Sequence, residues 1–236
     1  MTNEAKRLAS VIDHTLLKPE ARWRDIEKLC AEAREHGFYS VCVNGMWVSA
    51  CRSQLQGSGV RISAVCGFPL GAMSSFAKAK EAEIAARDGA EEIDMVLPVG
   101  ALLDGDHARV KEDIRQVVEA VKGAALVKVI LETGFLSRDQ IVLGCRLAEE
   151  AGADFVKTST GFGPGGAKEE VVRLMRASVS GRMRVKASGG IRDAAAAARM
   201  LEAGADRLGT SSGVAIVTGL APGLSTGKPE GSGYWA

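Results

Sequence analysis

Apolar positions along the chain alternate between two spacings, one typical of helices and one typical of short strands. Apolar residues recur three or four positions apart at Ile26, Leu29, Cys30 and Ala33, which predicts an amphipathic helix. Several helical stretches end in glycine and run directly into a short apolar segment, as in EHGFYSVCV, RDGAEEIDMV, EEAGADFVKTS and LEAGADRLGTS. A glycine that ends a helix just before an apolar run indicates a repeating helix, turn and strand unit.

Eight strands are predicted in this way, each followed by a helical stretch. They cover residues 11–15, 41–44, 61–66, 92–97, 126–131, 155–158, 184–187 and 207–209. Strict alternation of strands and helices requires parallel pairing, and eight such units favour a closed (β/α)8 TIM barrel. An open doubly wound sheet is the alternative, but no GxGxxG motif follows an early strand.

No linker or change of composition interrupts this series, so we expect a single barrel domain over residues 1–236. A short helix is predicted over residues 1–9, and the polar stretch over 227–236 is expected to be a mobile tail.

The composition narrows the classes of partner. A formal net charge of +1 and the lack of a basic run argue against nucleic acid. No apolar leader and no long apolar stretch is present, so we expect a cytoplasmic protein that does not bind membranes. Five cysteines without a CxxC motif favour reduced thiols, and three histidines without metal-ligand spacing lead us to expect neither metal nor cofactor.

Charged residues fall at positions that the strand alternation directs into the barrel. In EEIDMVLP, the apolar residues at positions 93, 95 and 97 take the face toward the helices, so Asp94 points inward. The same alternation directs Lys128, Glu132, Lys157 and Lys186 toward the axis. Any one lysine could instead be a surface residue, but several charges near the carboxyl ends of the strands indicate an active site, because this fold builds its sites there.

Two lysines and a carboxylate suggest a specific chemistry. A neutral lysine amine can attack a carbonyl to form a Schiff base, but an ordinary lysine pKa near 10.4 keeps the amine protonated at neutral pH. A second ammonium and a partly dry site would both lower that pKa. Asp94 could then transfer protons or hold a water molecule. The residues alone do not decide between Lys157 and Lys186 as the nucleophile.

Glycine and serine cluster after the last two strands. Ser188-Gly189-Gly190 follows the seventh strand, and Thr210-Ser211-Ser212-Gly213 follows the eighth. Backbone N–H groups and hydroxyls in these two loops frequently bind phosphate in this fold. The run from Gly161 to Gly166 could belong to the same site or could be a flexible turn.

The segments IDHTLLKP, EEIDMVLPVG, KVILETG, FVKTSTGFGPGGA and VKASGGIR together resemble the 2-deoxyribose-5-phosphate aldolase family, nearly from end to end. The resemblance implies a class I aldolase, a carbon–carbon lyase that reversibly cleaves 2-deoxy-D-ribose 5-phosphate to D-glyceraldehyde 3-phosphate and acetaldehyde. It further implies a metal-free lysine Schiff base, a role in deoxyribonucleotide breakdown and a homodimer.

The resemblance also assigns residues. Lys157 matches the Schiff-base lysine, Asp94 the aspartate that transfers protons, and Lys186 the second lysine that tunes the first. The matched phosphate-binding positions are Gly161, Gly189, Gly190, Ser211 and Ser212. Further residues expected to line the pocket are Asp13, Thr15, Lys128 and Thr160. For Asp13 and Thr15, capping of the following loop or helix is the competing interpretation.

Two positions depart from the family's pattern. Phe162 stands where some relatives carry a lysine, so any phosphate contact from that side chain is absent. Tyr234 is the candidate for the family's C-terminal tyrosine, although Trp235 and Ala236 follow it. Two other functions stay open: a Schiff-base aldolase of a different sugar or keto phosphate, and a non-catalytic sugar-phosphate sensor, which would not need a buried second lysine.

Overall fold

Eight parallel strands close into a barrel in the computed structural model, which describes residues 2–219. The strands follow the order of the sequence around the barrel, and the first pairs with the last. They are β1 Ile12–Leu16, β2 Ser40–Val43, β3 Arg61–Cys66, β4 Glu92–Val96, β5 Leu126–Ile130, β6 Phe155–Lys157, β7 Arg184–Ser188 and β8 Arg207–Thr210.

Helices connect successive strands on the outside, one further helix precedes the first strand and another follows the last. They are α1 Asn3–Ala9, α2 Trp23–His36, α3 Val48–Leu55, α4 Ser75–Asp88, α5 Val99–Leu103, α6 His107–Ala120, α7 Arg138–Glu150, α8 Glu169–Ser178, α9 Ala194–Glu202 and α10 Gly213–Thr218.

The closed order of strands confirms the predicted (β/α)8 barrel, so the alternative of an open doubly wound sheet is wrong. Each strand begins and ends within one residue of its predicted bounds. The predicted N-terminal helix is α1, which packs against α10. The predicted tail, 227–236, lies outside the described residues, and the single domain over 1–236 stays a prediction.

The helices end where the glycine pattern indicates. Gly37 follows α2 with φ 66°, and the glycines at the other three junctions, Gly89, Gly152 and Gly204, also have positive φ. Glycine has no Cβ to clash in this conformation, so it can turn the chain from the end of a helix toward the next strand. The amphipathic face predicted for α2 is buried.

The main apolar core lies between the strands and the surrounding helices. On β4 and β5 the buried residues Ile93, Met95, Val127 and Val129 belong to it, together with helix residues such as Ile114. These are the positions that the alternation directed toward the helices. The opposite face of the same strands therefore projects into the barrel, where charged side chains occupy much of the interior.

Candidate active site

The strand register places the predicted inward charges on neighbouring strands. Asp94 on β4 pairs with Lys128 on β5, and Lys157 on β6 pairs with Lys186 on β7. All four residues are buried, with Lys157 the most exposed at 3%. Their inward orientation is confirmed, because the charged ends of the three lysines meet at Asp94.

Asp94 accepts hydrogen bonds from four side chains. Lys157 Nζ and Lys186 Nζ lie 2.8 and 2.7 Å from its Oδ2. Lys128 Nζ and Ser63 Oγ lie 2.6 and 3.0 Å from its Oδ1. Burial favours the neutral acid, but the three lysines outweigh it and hold the pKa of Asp94 well below its usual range. Asp94 is therefore a carboxylate of fixed orientation at neutral pH.

The three lysines differ in their pKa. Burial lowers the pKa of Lys157, Asp94 opposes this effect, and the ammonium of Lys186 lowers the pKa further. For Lys186, burial is outweighed by Asp13 and Asp94, which raise its pKa. For Lys128, burial is outweighed chiefly by Asp94, which raises its pKa as well. Lys157 thus loses its proton most readily, a distinction that the sequence left open.

Asp13 lies deeper in the site than the sequence analysis placed it. It accepts hydrogen bonds from Ser40 Oγ at 2.7 Å and Arg207 Nη1 at 2.9 Å, and its Oδ2 lies 2.5 Å from Lys186 Nζ. Its side chain therefore belongs to the buried charge cluster and does not cap a helix. The hydroxyl of Thr15 donates to the backbone carbonyl of Asp13. Within residues 2–219 no backbone N–H donates to the side chain of Asp13 or Thr15, so no hydrogen bond supports the capping interpretation there.

Two further members of the cluster, Glu92 and Arg207, were missed. Glu92 lies 2.6 Å from Lys128 Nζ, and Arg207 Nη1 lies 3.2 Å from Glu92. Glu92 stands two residues before Asp94, so strand alternation could have placed both on the inner face. The predicted eighth strand, over 207–209, was too short to show which face Arg207 occupies.

A cavity of about 320 Å³ opens beside this cluster. Lys157 lines it, whereas Asp94, Lys128 and Lys186 are not among its lining residues in the described part of the chain. All the predicted phosphate-binding residues line the same cavity: Gly161, Gly189, Gly190, Ser211 and Ser212. The fold therefore brings the predicted nucleophile and the predicted phosphate site to one space.

Hydrogen bonds between β6 and β7 set the position of the Gly189-Gly190 turn relative to Lys157. Thr158 Oγ1 donates to the Ser188 carbonyl and accepts from the Ser188 N–H, each at 3.0 Å. Ser188 Oγ donates to the Ser159 carbonyl at 2.6 Å. Because Lys157 immediately precedes Thr158, these bonds hold the lysine and the glycine turn in one rigid unit.

The glycine-rich run that follows Thr160 is packed between its neighbouring loops, unlike a free flexible turn. The N–H of Ala167 donates to the Gly189 carbonyl at 3.0 Å, and a Cβ on Gly166 would lie 2.4 Å from that carbonyl oxygen. A Cβ on Gly134 would lie 1.7 Å from the Pro164 carbonyl oxygen. Only glycine permits these approaches.

The predicted pocket-lining residues separate into two groups. Thr15 and Thr160 line the cavity, whereas Asp13 and Lys128 are absent from its described lining and are fully buried. Strand β5 ends at Ile130, so its alternation does not extend to Glu132. Glu132 takes a left-handed backbone conformation with φ 54°, and its carboxylate accepts hydrogen bonds from Thr160.

Basic and aromatic residues also line the cavity. The sequence analysis did not assign the basic residues to the site, and it mentioned the aromatic one only as a departure from the family's pattern. Lys18 and Arg192, both exposed, line it together with Phe162. Phe162 packs edge-on against Phe68, with ring centroids 5.3 Å apart. The position that carries a lysine in some relatives is thus apolar here. Tyr234 lies outside the described residues.

Within residues 2–219, no group of three or more His, Cys, Asp and Glu side chains is arranged to hold a metal ion. No helix in the same range is long and apolar enough to cross a membrane. All five cysteines are buried free thiols.

Comparison with known proteins gives a consistent assignment. The profile of the family described as DeoC/LacD family aldolase matches residues 7–226. The deoxyribose-phosphate aldolase of Brevibacillus brevis is 55% identical over 223 residues, 94% of this chain and 97% of the relative. That of Bdellovibrio bacteriovorus is 54% identical over 213 residues, 90% of this chain and 96% of the relative.

A solved structure extends the comparison to three dimensions. The tetrameric deoxyribose phosphate aldolase from Aeropyrum pernix is 35% identical, covers 91% of both chains and has a TM-score of 0.85. The matched residues of the family profile include every strand that contributes to the buried cluster and every loop that lines the cavity. The chain therefore belongs to the DeoC/LacD family of aldolases.

Proposed function

We propose that this protein is a class I aldolase that reversibly cleaves 2-deoxy-D-ribose 5-phosphate to D-glyceraldehyde 3-phosphate and acetaldehyde through a Schiff base on Lys157. One observation carries the proposal: of the three clustered lysines, Lys157 lines the cavity, and its pKa is the one that is lowered. The substrate is supported by relatives named deoxyribose-phosphate aldolase at 54–55% identity.

The first step joins Lys157 to the sugar. The neutral Nζ attacks C1 of the open-chain aldehyde and forms a C–N bond. A proton transferred to the hydroxyl of the resulting carbinolamine lets it leave as water, and a cationic iminium remains. The lowered pKa of Lys157 supports this step, because only the deprotonated amine is a nucleophile.

The second step breaks the C2–C3 bond. A base takes the proton of the C3 hydroxyl, the bonding electrons move toward the iminium, and D-glyceraldehyde 3-phosphate leaves with C3 as its aldehyde carbon. The remaining enamine takes a proton at C2, and water then releases acetaldehyde and Lys157. Asp94 contacts Lys157 Nζ and Lys186 Nζ at 2.8 and 2.7 Å, so these groups are suited to hold and return protons, directly or through water.

The other side of the cavity suits the phosphate. Gly189 and Gly190 have φ of 90° and 78°, a backbone conformation that lets an anion approach closely. Ser211 and Ser212 add hydroxyls, and Arg192 adds positive charge. The phosphate would fix the distal end of the sugar while its carbonyl reaches Lys157.

Borohydride reduction tests the proposal. In the presence of 2-deoxyribose 5-phosphate, peptide mass spectrometry should find a reduced covalent adduct on Lys157, and the Lys157→Met variant should give none. Chelator should leave product formation unchanged. An adduct on Lys186 or Lys128 with Lys157 unmodified would refute the assignment. Binding of the sugar phosphate without aldehyde release would indicate a sensor, and release from a different sugar phosphate alone would indicate a related aldolase.

Three expectations from the family resemblance stay predictions. They are a role in deoxyribonucleotide breakdown, a cytoplasmic location and a homodimer. The structural relative from Aeropyrum pernix is described as a tetramer.

A further inference from the structure

Six buried side chains inside the barrel form a closed ring in which negative and positive groups alternate. We call it the charge ring; its members, in order, are Asp94, Lys128, Glu92, Arg207, Asp13 and Lys186. Every member is buried, with Arg207 the most exposed at 3%. The six links, in the same order, measure 2.6, 2.6, 3.2, 2.9, 2.5 and 2.7 Å.

The charge ring is balanced without Lys157. Its three carboxylates are matched by two ammonium groups and one guanidinium, so its formal charge is zero when all are ionised. Lys157 lies outside the ring and reaches it at Asp94 Oδ2, which Lys186 also contacts. A proton on Lys157 therefore gives the buried site an excess positive charge, which desolvation opposes.

We propose that Glu92 and Arg207 are positioning residues that set the protonation of Lys157 through the charge balance of the ring, with Arg207 favouring the neutral, nucleophilic amine and Glu92 favouring the ammonium. Neither residue is among the described lining of the cavity. They act instead on Lys128 and Asp13, which in turn hold Asp94 and Lys186. The inference rests on the proposed Schiff base at Lys157 and extends it to residues that are absent from the described lining of the cavity.

The packing around Arg207 supports a fixed charge at this place. Its guanidinium lies 3.3 Å from the ring centroid of Tyr39 and 5.5 Å from that of Phe155. Asp13 and Glu92 raise the pKa of Arg207 against the effect of burial, so it does not lose its proton. A permanent cation therefore lies between the two carboxylates of the ring.

The groups that face Lys157 come from four strands. Asp94 lies on β4, Lys186 on β7 and Cys42 on β2, and Lys128 on β5 reaches Lys157 through Asp94. Burial raises the pKa of Cys42, so its thiol is neutral at physiological pH. The charge ring therefore sets the net charge that surrounds Lys157.

Two substitutions of opposite sign test this inference. Glu92→Gln leaves the ring with one excess positive charge, so the pKa of Lys157 should fall. Arg207→Met leaves one excess negative charge, so that pKa should rise. Each shift should be about one pH unit or less, as expected for one unit charge acting through intervening buried groups. The double variant Glu92→Gln/Arg207→Met restores a neutral ring, so the pKa of Lys157 should return to its wild-type value.

The readout is the pH dependence of Lys157 acetylation by acetic anhydride, followed by peptide mass spectrometry, because it does not depend on aldehyde chemistry. Glu92→Asp and Arg207→Lys keep the charges, so the pH dependence of Lys157 acetylation should match that of the wild type. Glu92→Gln and Glu92→Asp alone still decide the matter if Arg207→Met does not fold, as judged by circular dichroism. Unshifted profiles in folded variants, or shifts of the same sign from both substitutions, would overturn the inference. The proposed function is tested separately, by the borohydride adduct of the wild type.

Discussion

Lys157 and Lys186 carry the same amine, yet their surroundings give them opposite electrostatic properties. Lys186 Nζ lies between two carboxylates, at 2.5 Å from Asp13 and 2.7 Å from Asp94. Lys157 shares Asp94 with Lys186 and lines the cavity. A buried ammonium with two counter-ions keeps its proton, whereas one that shares a single counter-ion with another ammonium releases it more readily.

Ser212 allows a test of the phosphate side at the scale of one residue. In Ser212→Asp a carboxylate would stand beside the substrate phosphate, so repulsion should raise KM for 2-deoxyribose 5-phosphate by about tenfold or more. Unphosphorylated deoxyribose should be affected much less. Steady-state kinetics on both sugars measure the difference.

Ser212→Ala is the matched control, since it removes a hydroxyl without adding charge and should change KM only modestly. Equal losses with both sugars in Ser212→Asp would mean that the substitution disturbs the fold and that the phosphate assignment is wrong.

At the scale of elements, a buried ion pair joins α4 to α6 and to the end of β4. Lys78 Nζ donates to Asp113 Oδ2 at 2.8 Å and to the Val96 carbonyl at 2.9 Å. Ser75 Oγ donates to Asp113 Oδ1 at 2.7 Å. Val96 stands two residues after Asp94, so this pair supports the strand that carries the central carboxylate.

Replacing Lys78 with Met should lower the free energy of unfolding by about 3–5 kcal/mol, because Asp113 would remain buried without its counter-ion. The double variant Lys78→Met/Asp113→Leu should recover much of this loss. Urea unfolding followed by circular dichroism measures both.

The exposed Lys80 on the same helix, 2.5 Å from Glu83, provides the control. Lys80→Met should change stability little, since water screens an exposed pair. A loss in Lys78→Met no larger than that in Lys80→Met would contradict the role given to the buried pair.

At the scale of the whole molecule, charges replace much of the apolar filling usual in a barrel of this type. Six of the eight strands, all except β2 and β3, contribute a charged side chain to the interior network. Burial opposes each of these charges, so the native state depends on their mutual pairing. The residues proposed for catalysis therefore also belong to the network on which the native state depends.

Asp94 makes this link measurable as a function of pH. Its folded pKa lies well below the ordinary 3.8, so the wild type binds fewer protons at this site than the unfolded chain does in acid. The stabilisation is present above the unfolded pKa and is lost as pH falls through the folded pKa. Asp94→Asn should lower the free energy of unfolding at pH 7 by about 3–5 kcal/mol and make stability fall less steeply below about pH 4.

Urea unfolding at a series of pH values checks this prediction. The surface substitution Asp104→Asn serves as the control and should leave the acid dependence unchanged. An Asp94→Asn variant as stable as the wild type at pH 7 would show that the lysines do not depend on this carboxylate.

Local pattern determined most of the fold and part of the site. Helical spacing, glycine at helix ends and short apolar runs are properties of neighbouring residues, so they located all eight strands to within one residue. Alternation along a strand depends on the same local geometry, and it placed Asp94, Lys157 and Lys186 inside the barrel. The resemblance of KTSTG and KASGG to a known family predicted their individual roles.

Tertiary structure decided which groups interact. Arg207 and Asp13 are separated by 194 positions in the chain and meet because β8 closes against β1. The pKa difference between Lys157 and Lys186 likewise depends on distances to carboxylates from other strands. Coulomb energies and desolvation vary with separation in space and with burial, and neither quantity can be read from spacing along the sequence. The charge ring, and the roles of Glu92 and Arg207 in it, therefore became visible only in the folded barrel.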